Sequence, residues 1–265
     1  MLLNCHYFSH VLGFNTEITV VIPTPEGNEQ ITEKGPETRY DYENGLPVVY
    51  LLHGAYGDNA SWTRFSSVER YVQSRNMIAV MASVENSFYQ DQVMGNKYFT
   101  YMTEELPNYI TRLFPASRKR EDTYIAGFSM GGYGAWYLAL RRPDLYSKAA
   151  SMSGALDIVR LGEELKEGKV DGPFNWENNF RNVEALEGSV YDLFALIEKN
   201  KAAGTLPELY QSCGTKDFLY ELNQDVHKRL TEMGVDGPYY EEPGHMHNWT
   251  FWDMDITRIL DWFAK

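Results

Sequence analysis

Ser129 stands in Gly127-Phe128-Ser129-Met130-Gly131, a G-x-S-x-G pattern between a short β-rich run over 123–126 and a helical pattern over 132–142 that Pro143 ends. Strand, sharp turn and helix in that order push a serine hydroxyl out above the carboxyl edge of a sheet, where it can attack a carbonyl carbon. Gly127 and Gly131 supply the missing Cβ atoms where such a turn brings strand and helix backbones together. A serine hydroxyl is a weak nucleophile until a base accepts its proton, and the base needs a carboxylate to hold its tautomer. Ser129 is therefore the candidate nucleophile, and a carboxylate and a histidine are expected after it in the chain, both in loops that follow strands.

Asp217 meets that condition, because it closes Cys213-Gly214-Thr215-Lys216-Asp217 directly after a strand expected over 208–212. The competing reading of Asp217 is a helix N-cap, and Asp157, after a strand ending at 153, is the reserve. Of the six histidines, His6 and His10 fall in N-terminal strands, His227 lies inside a helical pattern, and His53 precedes the serine. His245 and His247 follow the acid, in the loop 242–249, and both remain candidates on this reasoning. No cluster of Cys, Asp or Glu completes a metal-ligand set around this H-x-H, so neither metal nor cofactor is expected. The negative charge that develops on the attacked carbonyl oxygen needs two preorganised N–H donors. The backbone of Met130, next to the nucleophile, and that of Ala55, in His53-Gly54-Ala55-Tyr56-Gly57 after a buried strand, are the expected pair.

The elements that must position these groups follow a regular alternation. Strands are expected over 2–9 and 16–22, joined through Gly13, and 24–46 reads as a surface loop carrying one short strand at most. Val48-Val49-Tyr50-Leu51-Leu52 is a continuous apolar run of the kind buried on both faces of a parallel sheet. Beyond it come a helix to about 75, a strand 77–82, a polar loop 83–97 and a helix 100–114. The elbow strand 123–127 and helix 130–142 follow, then strands at 148–152, 208–213 and 238–242 with helices near 190–200, 218–233 and 248–263. Strand and helix taking turns predicts one domain over 1–265, an α/β fold with a doubly wound, mostly parallel sheet and helices on both faces. Residues 154–188 break the rhythm. This insertion follows a strand's carboxyl end and is too short for a large cap domain, so it reads either as a surface excursion or as a wall of the active site.

Hydrophobic residues make up 43% of the 265 and aromatics 14%, which allows a large core and an apolar pocket without choosing between them. The formal charge of −13 sets the surface against phosphate backbones and anionic lipid, so nucleic acid and membrane partners are not expected. No apolar run approaches the roughly 18 residues of a membrane span, and the first residues lack a basic and then apolar leader pattern, which places the expected location in the cytoplasm. Cys5 and Cys213 lie far apart and suit free thiols.

Taken together, Leu51-Leu52-His53-Gly54-Ala55-Tyr56-Gly57 with Trp62, Ser87-Phe88-Tyr89, Tyr101-Met102-Thr103-Glu104-Glu105-Leu106-Pro107, the elbow, Gly214-Thr215-Lys216-Asp217, and His247-Asn248-Trp249 with Trp252 run in order over nearly the whole chain. The series resembles the esterase D and tributyrin esterase group, which is related to the feruloyl and acetylxylan esterases of carbohydrate esterase family one. The resemblance implies an α/β-hydrolase fold without a large lid, acting on short acyl esters through Ser129, Asp217 and a histidine. It selects His247, which stands one residue before an amide and then Trp, over His245. It also implies acyl-site contacts at Trp62 and Tyr89, and dimers or tetramers. A serine carboxylesterase is the leading expectation. Feruloyl or acetyl esters of plant polysaccharide fragments, S-formylglutathione, acyl transfer to an alcohol, and a catalytically inactive binding module are the alternatives.

Overall fold

A computed structural model describes residues 1–25, 27, 40–169 and 174–265. Its eight strands form one sheet in the order β1-β2-β4-β3-β5-β6-β7-β8, where β1 is Leu2–Ser9, β2 Phe14–Val21, β3 Val48–Leu52, β4 Ile78–Ala82, β5 Thr123–Phe128, β6 Lys148–Met152, β7 Glu208–Gly214 and β8 Tyr239–Glu242. β1 and β2 pair antiparallel as a hairpin, and β2 pairs antiparallel with β4. From β4 through β8 every pairing is parallel. The fold is therefore the doubly wound, mostly parallel α/β sheet expected from the alternation, with an antiparallel hairpin on one margin.

The period of two along each strand sends alternate residues to opposite faces. Val48, Tyr50 and Leu52 of β3 join the core on one face, Val49 and Leu51 that on the other, and all five are buried. The helix Met130–Arg141 covers the first face with eleven buried residues, and Trp249–Phe263 covers the second with Phe251, Trp252, Ile256, Ile259, Leu260 and Phe263. The chain builds outward from β3 to β4 and then returns to place β5 on the other side of β3. Ligands of open α/β sheets bind beyond the carboxyl ends of the strands at such a reversal, and here it sets the loop after β3 beside Ser129.

Three local departures have physical causes. A helix at Ser61–Phe65 was not foreseen, since five residues carry too little periodicity to read. The helix expected over 100–114 is interrupted by a π turn at Tyr101–Glu105. Pro107 has no N–H for the carbonyl of Thr103, and Arg142 Nη1 donates to that oxygen instead at 3.2 Å. The insertion holds the helices Ile158–Lys166 and Trp176–Phe180 and a short turn at Val183–Ala185. Most of the loop expected over 24–46, and Gly172 and Pro173 of the insertion, lie outside the described residues. No helix among the described residues is long and apolar enough to cross a membrane. Cys5 and Cys213 are both free.

Candidate active site

The turn at Ser129 is as tight as the glycine spacing requires. A Cβ on Gly127 would run into the carbonyl of Gly131, and one on Gly131 into the carbonyls of Leu52 and His53. Ser129 itself sits at φ 56°, ψ −122°, a conformation that costs a side-chain-bearing residue about 1–3 kcal/mol. Its neighbours hold it there: the Ser129 N–H donates to Met152 O at 3.0 Å, and its carbonyl accepts from Gly132 N at 3.0 Å and Ala155 N at 3.2 Å.

Asp217 and His247 arrive from neighbouring strand ends. His247 Nδ1 lies 2.9 Å from both carboxylate oxygens of Asp217. The carboxylate is fully buried and the imidazole 17% exposed. With Nδ1–H given to the carboxylate, Nε2 is left as the ring's acceptor. The ring is packed edge-on against Trp252 at 5.0 Å and against Phe218 at 4.4 Å.

Backbone bonds stitch the two loops to each other. Lys216 N–H donates to His245 O at 2.9 Å and Thr215 N–H to Glu242 O at 3.0 Å, while a Cβ on Gly214 would strike the His245 carbonyl. His245 thus contributes its carbonyl to the seam and its ring packs beside Phe251, away from Asp217. Beneath the seam, Tyr210 and Ser212 hydroxyls donate to the buried Asp255 at 3.0 and 2.6 Å, and Arg258 bridges Asp255 and Glu242 at 2.9 and 3.1 Å. This ties the last helix, which begins two residues after His247, to β7 and β8. The reserve acid, Asp157, is a helix cap: it accepts the N–H of Arg160 at 3.0 Å, and burial pushes its carboxyl above the ordinary value.

Ala55 and Met130 both line the pocket that holds Ser129, and neither N–H has an acceptor among the described residues. Met130 is the first residue of its helix, so its N–H has no partner within the helix. Ala55 is aimed by a residue that sequence reasoning set aside. His53 is fully buried; its Nδ1 donates to Gly54 O at 2.7 Å, and its Nε2 accepts the N–H of Val84 at 3.1 Å. Gly57 N–H also donates to Gly54 O, at 3.2 Å. In a planar trans peptide the next N–H points opposite to the carbonyl, so fixing Gly54 O fixes the direction of Ala55 N–H. Burial pushes the His53 imidazole below its ordinary value, which keeps the ring neutral for both bonds.

Ser129, His247, Ala55 and Met130 share a pocket of about 430 Å³. Trp62 and Tyr89, expected at the acyl site, do not line it. Both are fully buried one layer behind, with Trp62 Nε1 donating to Leu52 O at 3.1 Å and Tyr89 OH to His53 O at 2.8 Å. Their polar atoms brace the loop that carries Ala55. The wall is instead Phe128, Trp249, Trp252 and Phe218 on one side and Phe88, Leu161, Phe174 and Trp176 on the other. The insertion is therefore a wall of the pocket, with Phe88 packed against Phe174, Trp176 and Phe180 at 4.7, 5.5 and 5.2 Å. Among the described residues, no lysine or arginine lines the pocket.

No hydrogen bond joins Ser129 Oγ to His247 among the described residues; catalytic contacts of unliganded sites commonly tighten only around substrate. The arrangement offers a hydroxyl on a strained turn, an imidazole oriented by a buried carboxylate, and two unpaired N–H donors in an apolar cavity.

Known proteins carry the same arrangement of the chain. The family model described as "Putative esterase" matches residues 35–263. An acetyl esterase of Caldicellulosiruptor saccharolyticus is 31% identical over 268 residues, with 100% of this chain and 98% of that protein covered. The fluorophosphonate-binding serine hydrolase F of Staphylococcus aureus, solved with substrate bound, superposes with a TM-score of 0.86 at 28% identity, covering 100% of this chain and 98% of the other. An S-formylglutathione hydrolase of the same organism gives 0.83 at 28% identity, covering 100% and 99%. On a match that takes in the strand carrying Ser129 and the loops carrying Asp217 and His247, the chain belongs to this esterase family of α/β-hydrolases and is a serine hydrolase of carboxylic esters.

Proposed function

We propose that the chain hydrolyses small acyl esters through an acyl-enzyme on Ser129. His247 Nε2 takes the hydroxyl proton as Ser129 Oγ attacks the ester carbonyl, and Asp217 stabilises the imidazolium that forms. Ala55 and Met130 N–H groups receive the oxyanion. The tetrahedral intermediate collapses with His247 returning the proton to the leaving alcohol, and water, activated by the same nitrogen, releases the acid. The observation that carries this reading is the placement of His247 Nδ1 at 2.9 Å from both oxygens of a fully buried Asp217, in one pocket with Ser129 and two unpaired N–H donors.

The aromatic wall and the volume of about 430 Å³ support short or compact acyl groups. A second reading, hydrolysis of aryl-acyl esters of the feruloyl kind, is favoured by Phe88, Phe174 and Trp176, whose rings can stack on a planar acyl group. S-formylglutathione, the substrate named for one relative, is disfavoured because, among the described residues, the pocket presents no lysine or arginine to the two carboxylates of glutathione. Initial rates on acetyl, butyryl, octanoyl and feruloyl esters and on S-formylglutathione test the assignment. The highest kcat/KM is expected with acetyl or butyryl esters. A clear lead for feruloyl esters would establish the second reading, and a lead for S-formylglutathione would contradict both.

A further inference from the structure

A second cleft, of about 820 Å³, opens at the opposite end of the same strands. β3 enters it with Val48 and Tyr50 and leaves toward Ala55; β5 enters it with Thr123 and leaves toward Ser129. In a chain with a formal charge of −13, this cleft is basic: Arg112, Arg118, Arg120 and Arg142 line it against the carboxylates of Glu104 and Asp144. Arg142 is committed to Asp144 through two bonds of 2.8 and 2.7 Å. The other three have no carboxylate partner among the described residues. Arg118 gives one N–H to Thr111 O at 3.2 Å and Arg120 one to Pro143 O at 2.6 Å, while Arg112 gives none to a protein acceptor.

Tyr50 adds a neutral donor to the cleft. It lies against Tyr146 with ring centroids 5.9 Å apart, is 2% exposed, lines the cleft, and its hydroxyl has no hydrogen-bond partner among the described residues. The Tyr50 hydroxyl is a donor at the cleft that no protein acceptor takes up among the described residues, and the four arginines of the lining outnumber its two carboxylates, Glu104 and Asp144. A bound anion would accept from both kinds of donor. Guanidinium forks match the paired oxygens of phosphate and carboxylate groups, and the volume exceeds that of a bare phosphate, so the occupant is a small organic molecule.

We propose that this cleft binds a small organic oxyanion with two or more negative charges, phosphate or polycarboxylate, held by Arg112, Arg118 and Arg120 and met at the floor by the Tyr50 hydroxyl. Isothermal titration of the full chain with inorganic pyrophosphate and, separately, citrate, at low ionic strength, tests it. Saturable one-to-one binding of either anion is expected; a response to one alone identifies which chemistry the site takes. The double variant Arg112→Ala/Arg120→Ala is expected to weaken binding by about tenfold or more, and Tyr50→Phe, which keeps the ring, by roughly three- to tenfold. Lys199→Ala/Lys228→Ala, an equal loss of charge at exposed positions elsewhere, is expected to leave affinity within about twofold. Ester hydrolysis by all these variants at the wild-type rate checks that they are folded. Absence of saturable binding to both anions, or equal weakening by the lysine pair, would overturn the proposal.

Discussion

The seam between the Asp217 and His247 loops and the insertion over 154–188 close the same pocket by different means. Main-chain bonds and a glycine that leaves no space for a Cβ hold the seam: Lys216 N–H to His245 O, Thr215 N–H to Glu242 O, Gly214 against His245. The insertion rests chiefly on side chains, with Phe174, Trp176 and Phe180 gathered on Phe88 and Asn179 bonded to Asn86 O and Gln92, beside a main-chain bond from Val93 N–H to Asn178 O at 2.8 Å. Main-chain bonds fix a position within tenths of an ångström whatever the neighbouring side chains are. Ring packing fixes a shape that a single substitution changes. Under the proposed mechanism the proton-transfer groups rest on the first kind of support and the acyl wall chiefly on the second, so chemistry and substrate choice should respond to mutation separately.

Asp217→Asn should show the largest effect on the seam, because an amide no longer enforces the Nδ1–H tautomer of His247. A fall in kcat of about 10³–10⁴-fold is expected with KM little changed, measured by steady-state kinetics on a butyryl ester. Gly214→Ala comes next. Its Cβ must displace the His245 carbonyl and with it His247, and a shift near one ångström costs roughly 10²-fold in rate. A variant with wild-type kcat would show that the seam tolerates separation and would break the contrast.

Trp176→Ala should act on the other support. It is expected to cut kcat/KM for feruloyl or octanoyl esters by about ten- to a hundredfold, the worth of one lost aromatic contact, while acetyl ester hydrolysis stays within about threefold. Equal losses on all esters would mean that the wall also positions the catalytic groups. The smallest effect concerns His53. Because burial holds its imidazole below the ordinary value of 6.5, the unfolded chain binds the extra proton first, and stability falls as pH drops below about 6.5. A thermal midpoint that decreases from pH 7 to 5, with a shallower slope in His53→Gln, checks this; an identical slope in the variant would remove His53 from the account.

Much of the catalytic edge was legible because it is written in short-range steric terms. G-x-S-x-G announced a turn in which neither glycine has space for a side chain, and Asp217 and the pair His245 and His247 each follow a strand with the residue types the chemistry needs, the family resemblance choosing His247. His53 was harder. Its role depends on which way one peptide carbonyl points, and nothing in a sequence marks that. Trp62 and Tyr89 were placed one layer too far forward, since a large aromatic near a site reads the same whether it faces the cavity or braces the loop behind it. The wall from Phe174 and Trp176 depends on contacts with Phe88 across 86 and 88 positions of chain, beyond the reach of local pattern.

The most direct test of the central claim is peptide-mapped mass spectrometry of the enzyme after quenching steady-state turnover of a butyryl ester, with wild type and Ser129→Ala side by side. A butyryl adduct on Ser129 in the wild type, with no adduct and at least about 10⁴-fold slower turnover in Ser129→Ala, is the predicted result. An adduct on another residue, or a folded Ser129→Ala protein that turns over at the wild-type rate, would contradict it.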